Sequence, residues 1–85
     1  MTTSEVSAVQ DAIAGVLRAE LARRNVTQVE VARVTGIGTV VLNRYFQGTR
    51  EIPSTRLFAI VRAVGVPLDV VYDAAIAADP AANTA

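Results

Sequence analysis

The 85-residue chain contains no cysteine, histidine, lysine or tryptophan. Without cysteine there are no disulfide staples and no thiolate nucleophile, and without cysteine and histidine together the ligand sets of zinc fingers cannot be assembled. The missing imidazole also removes the side chain that most often acts as general acid or base near neutral pH. Carboxylates remain, but Glu20, Glu30, Glu51 and Asp69 fall where exposed helix positions or caps are expected. No constellation supports an enzyme, a metal site or a cofactor site, and no small-molecule ligand is evident. No apolar run reaches the ~18 residues of a membrane span, and no charged-then-apolar leader opens the chain. A cytoplasmic protein without membrane contact is expected. The formal net charge is zero, which argues against indiscriminate coating of nucleic acid.

What the chain has in abundance is apolar character, with 52% of its residues hydrophobic. In one small domain this implies a dense helical core or apolar surface left for a partner. Charge is unevenly placed. Between Arg18 and Arg56, seven arginines stand against Glu20, Glu30 and Glu51, a local excess of four, while the flanking segments are net acidic. An all-arginine basic set suits phosphate and guanine recognition, although a GC-rich coding sequence gives the same bias and carries the greater weight.

Hydrophobic periodicity and turn residues divide the chain into five helices, with no credible strand. Thr3 or Ser4 is placed to cap the first, along which Val6, Val9, Ile13, Leu17 and Leu21 make one stripe ending near Arg23-Arg24-Asn25. Thr27 caps the second helix, with Glu30 three residues on completing a capping box and Val26 available as a staple. Gly36 ends it. Gly38 begins the third helix, which closes at Gln47-Gly48. After a loop, Ser54 is expected to cap a fourth helix over 55–64, stopped by Gly65. Pro67, in the first-turn position proline favours, opens a fifth that runs to about Ala78. The expected organisation is a single domain over 1–79 and a frayed tail over 80–85. Its expected core comprises Ile13, Leu17, Leu21, Val31, Leu42, Tyr45, Leu57, Ile60 and Val64.

Helices two and three, joined through Gly36, have the spacing of a helix-turn-helix over 27–47, whose second helix can enter the DNA major groove. Val31, Ala32, Ile37, Leu42 and Tyr45 form an inner apolar face, while Thr39, Asn43, Arg44 and Gln47 are polar groups on the outer one. Arg44 offers a fork matching guanine O6 and N7, Thr39 can bond or pack, and Val40 suits a thymine methyl. Amides at the starts of helices two and three, at Gln28 and after Gly38, add phosphate donors. Tyr45 and Phe46 fall near the inner arc and read as core rather than stacking groups. Arg18, Arg23 and Arg24 read as a solvated face.

The ordered set of Thr27-Gln28, Val31-Ala32, Gly36, the Gly48 turn, Pro53 and the closing Ala63-Val64-Gly65-Val66-Pro67-Leu68-Asp69 run resembles the phage repressor/Cro-like, or Xre-type, helix-turn-helix family. The resemblance extends over roughly residues 13–73. It implies an all-α, five-helix, lambda-repressor-like fold and sequence-specific binding of double-stranded DNA as a small repressor. It also implies that Gln28 meets a phosphate, that Thr39, Val40 and Arg44 face base edges, and that Gly38, Asn43, Gln47, Thr49 and Arg50 hold the backbone. Where many relatives pair an arginine in helix one with a glutamate at the end of helix three, this chain has Leu21 and Phe46. An apolar contact in place of the buried pair is expected. The first helix also starts about two turns earlier than the family core requires.

One module contacts only a half-site, so a homodimer on a near-palindrome is expected. Surplus apolar residues at both ends, Val70, Val71 and Ile76 with Val6 and Val9, supply its surface, unless the extension folds back on helix five within one subunit. The alternative reading is an antitoxin-like or adaptor module that uses the same helices to grip a protein. The zero net charge and the apolar Val40-Val41 pair favour that alternative.

Overall fold

The structure, a computed structural model, describes residues 3–79, with side chains described from Ala8 onward. Five helices and no strand are present among the described residues: α1 Thr3–Arg24, α2 Gln28–Thr35, α3 Thr39–Gln47, α4 Ser54–Val64 and α5 Leu68–Ala78. This is the expected all-α architecture. The expected tail at 80–85 and the side chain of Val6 lie outside the described residues. Thr3 and Ser4, expected as caps, already belong to α1, and their side chains lie outside the described set as well.

The helix ends are set by local chemistry. Thr27 is extended (φ −95°, ψ 156°), and its Oγ1 accepts from the Glu30 N–H at 3.1 Å, satisfying one of the amides that an α-helix leaves unpaired at its start. Gly36 ends α2 in the left-handed region (φ 76°), where a side chain would be strained, and its N–H donates to Ala32 O at 2.8 Å. Two expected starts are corrected. Pro53, not Ser54, is the N-cap of α4, and Pro67 is the N-cap of α5 rather than its first helical residue. The N-cap contributes a carbonyl but no helical N–H, so proline suits it: Pro53 O accepts from Leu57 and Pro67 O from Val70.

At 1.5 Å per residue, α1 is about 33 Å long, and it forms the spine of the fold. It packs most extensively on α5 and next on α3, while α2 packs on α3 and α4. Its stripe reaches the core through Ile13, Leu17 and Leu21, with Ala14 beside them. Tyr45, Phe46, Leu17, Leu42, Ile60 and Val31 are the largest fully buried side chains. Leu57 is an exception among the expected core residues, being only half-buried against the cluster. Ile37, expected on the inner apolar face, is buried in the core, which also gains Ile52 and Val66 from the connecting turns. Val71 is corrected from the dimer surface to the core, where it is 2% exposed, because α5 presents the 68, 71, 75 arc to its neighbours. Val9 is half-buried against the same cluster, so at that position the early start of α1 is covered within the protomer.

Candidate nucleic-acid interface

The turn between α2 and α3 is fixed from inside. Thr35 Oγ1 donates to Val31 O at 2.7 Å and accepts from the Ile37 N–H at 3.3 Å, and the Ile37 side chain is buried. That anchor turns α3 so that Leu42, Tyr45 and Phe46 face the core. Thr39, Val40, Asn43, Arg44 and Gln47 are all exposed on the opposite side. The side chain predicted to meet a thymine methyl, Val40, is 66% exposed.

The two helix starts differ. In α2 the Glu30 amide is already taken by Thr27, and Gln28 is half-buried at the first helical position. At the start of α3, Gly38 caps without any side-chain bond and has open space around it, so the first amides of that helix remain available to an acceptor from outside. At the other end of α3, Gly48 (φ 77°) turns the chain left-handed, and the Thr49 N–H and hydroxyl both donate to Arg44 O. Thr49 and Arg50 are exposed in the loop that follows.

The arginines divide into two groups. Arg18 is exposed, as expected, but it is not idle there, because its Nη1 donates to the carbonyl of Phe46. Arg23 and Arg24 both bond Glu20, at 2.6 Å and 3.1 Å. The Arg23 hydrogen bond is the largest cause holding the Glu20 carboxyl down at about 2, from an ordinary 4.5, and Glu20 in turn raises Arg23. Arg56 donates to the buried Tyr45 hydroxyl at 3.0 Å, and Arg62 lies over the Phe58 ring, 5.9 Å from its centre. Among the described residues, Arg33, Arg44 and Arg50 are left without a side-chain partner in the protein. All three lie in α2, α3 or the loop after α3. Their charge is therefore available to a phosphate or a base edge.

Apart from this face, α4 and α5 frame an apolar groove of about 270 Å³ whose lining includes Leu57, Phe58, Leu68 and Tyr72. Phe58, Val70, Tyr72 and Ile76 are exposed along its rim or beside it. Val70 and Ile76 were expected on the surface. Phe58 and Tyr72 were not singled out, although Leu68, Tyr72 and Ile76 recur every fourth residue and so share one arc of α5. No metal-holding group of acidic residues occurs among the described residues, and no helix there is long and apolar enough to cross a membrane.

Residues 17–71 match the family described as helix-turn-helix. No curated protein and no solved structure gives a match.

Proposed function

Because the chain belongs to the Xre-type helix-turn-helix family, a family of DNA-binding regulators rather than enzymes, we propose that it is a small transcriptional repressor that occupies a near-palindromic operator as a homodimer. The observation that carries this reading is the outer face of α3. It joins exposed Thr39, Val40, Asn43 and Gln47 to an arginine with no side-chain partner among the described residues, on a helix whose inner face is fully committed to the core. In this reading Thr39, Val40 and Arg44 meet base edges in the major groove. Gln28, the amides after Gly38, Asn43, Gln47, Thr49 and Arg50 hold the sugar-phosphate backbone. The apolar surface around Val70, Tyr72, Ile76 and Phe58 joins two copies, so that two half-sites are read together.

Selection from a random duplex library tests the reading. Enrichment of two related half-sites separated by about one helical turn is expected, and no enrichment above the starting pool rejects it. Sedimentation of the free protein tests the dimer: Ile76→Glu should shift the equilibrium to monomer, and a wild-type chain that stays monomeric at high concentration, free and on DNA, removes that part.

A protein-gripping adaptor is favoured by one further observation: Val29 and Val34 on α2 are 69% and 62% exposed, away from the core. Loss of all sequence preference at moderate salt would select this alternative.

A further inference from the structure

The loop after α3, residues 48–52, carries Thr49 and Arg50 outward, yet it is fastened to α1 on both sides. On the near side, Arg18 donates to Phe46 O. That carbonyl lies in the last turn of α3, where no further helical N–H exists to satisfy it, and a guanidinium there also opposes the partial negative charge of the helix end. On the far side, the Ile52 N–H donates to Gln10 Oε1 at 3.3 Å, and the Ile52 side chain is buried. Between the two, the Gly48 backbone lies so close to α1 that a Cβ there would come within 2.8 Å of Asp11 Oδ1. Gln10 and Arg18 stand eight residues apart on α1, at helical spacing that places both on one arc. Arg50, without a side-chain partner among the described residues, is then a cation on a short loop whose two ends are fixed.

We propose that Gln10 and Arg18 are positioning residues for DNA binding: they hold the 48–52 loop in the conformation that presents Arg50 to a phosphate, and touch no DNA themselves. The inference rests on the DNA-binding reading of this face. A loop ordered during folding does not have to be ordered when the duplex arrives, so the ordering cost falls outside the binding step. A loop released from α1 meets that cost on every encounter. Gln10 is the cleaner probe of the two, because it carries no charge of its own to attract a phosphate.

The test is a double-mutant cycle on the full chain, read by titration with a short mixed-sequence duplex at several salt concentrations. Such a duplex suffices because phosphate holding is independent of sequence. Gln10→Ala and Arg18→Met should each weaken binding by roughly 3- to 10-fold, the range that follows from ordering one or two side chains. Gln10→Ala should also lower the salt dependence by up to about one counterion per subunit. In an Arg50→Ala background neither change should have further effect, and Arg18→Lys, which keeps a donor, should retain most of the affinity. Thermal melts of every variant separate this coupling from general destabilisation, which would add to Arg50→Ala rather than vanish in it. Additive losses, or a Gln10→Ala chain with unchanged salt dependence, overturn the proposal. An Arg50→Ala chain that binds as the wild type does also overturns it while leaving DNA binding standing. A wild-type chain that binds no duplex overturns the functional reading first, and this inference with it.

Discussion

Replacing Arg44 by alanine separates reading DNA from holding it. The Arg44 side chain is exposed and has no partner in the protein among the described residues, so its loss should leave stability within about ±0.5 kcal/mol of wild type. If its guanidinium reaches a guanine, each half-site loses about 1–3 kcal/mol, or roughly 5- to 150-fold in affinity. A symmetric dimer loses the contact twice, so the whole operator should weaken by about 2–6 kcal/mol. The assay is a fluorescence-anisotropy titration, at one fixed salt concentration, of the selected operator and of each single-base variant of it. For the wild type the variants should spread over affinity position by position; for Arg44→Ala the spread should collapse at one base pair per half-site and persist elsewhere. Arg50→Ala is the control, expected to weaken all sequences alike and to reduce the salt dependence by about one counterion per subunit. An Arg44→Ala chain that keeps its base preference and loses only salt dependence refutes the assignment. Arg44 would then be a phosphate contact, and reading would pass to Thr39 and Val40 or to DNA shape.

Leu42 is fully buried, so Leu42→Ala should cost about 2–5 kcal/mol, a large part of the ~4–13 kcal/mol expected for a domain of this size; an unchanged denaturation midpoint would contradict the core. Phe46→Glu places a carboxylate at a side chain with no solvent exposure and should destabilise by about 3–5 kcal/mol, with Leu21→Arg recovering part of the loss. A double variant no more stable than the single one would show that positions 21 and 46 do not communicate. The folded Glu20 carboxyl ionises at about 2 rather than 4.5, so the stabilisation it gives is complete above pH about 4.5 and is lost as the pH falls towards about 2. The midpoint difference between wild type and Glu20→Gln should therefore shrink across that window in pH-resolved melts, and a difference that stays constant would reject the pairing with Arg23 and Arg24.

The features legible in the sequence are those decided within a few residues. Thr27 and Gly36 announce the boundaries of α2 because a hydroxyl before a helix and a left-handed glycine after it act on the adjacent turn alone. The outward face of α3 was equally readable, since burying Leu42, Tyr45 and Phe46 forces Thr39, Asn43, Arg44 and Gln47 to the other side. The phase of α5 was not readable. Val70 and Val71 are chemically identical neighbours, and only the docking of α5 on α1 decides that Val71 turns inward while Val70 stays 40% exposed. The same limit hid the role of Arg18. Its partner is a backbone carbonyl 28 residues away, which leaves no trace in residue type or spacing. Leu21 and Phe46 were recognisable as a departure, and both are buried, but nothing local indicated that a neighbouring arginine would still tie α1 to the end of α3.

The packing of α1 on α5 makes the two ends of the described fold a clasp around its middle. The surface proposed to meet DNA lies in that middle stretch, and α2 and α3 are only 8 and 9 residues long, well short of the ~12–15 residues at which a helix begins to hold by itself in water. Neither can persist until Leu42, Tyr45 and Phe46 find the stripe of α1, and α1 in turn is covered by α5. Closing so long a loop costs entropy before any of these contacts form, with the reward arriving only at the end. Folding of the five helices should accordingly be all-or-none, with no half-built state that retains α3. A lesion in α5 would therefore dissolve the platform on which α3 stands.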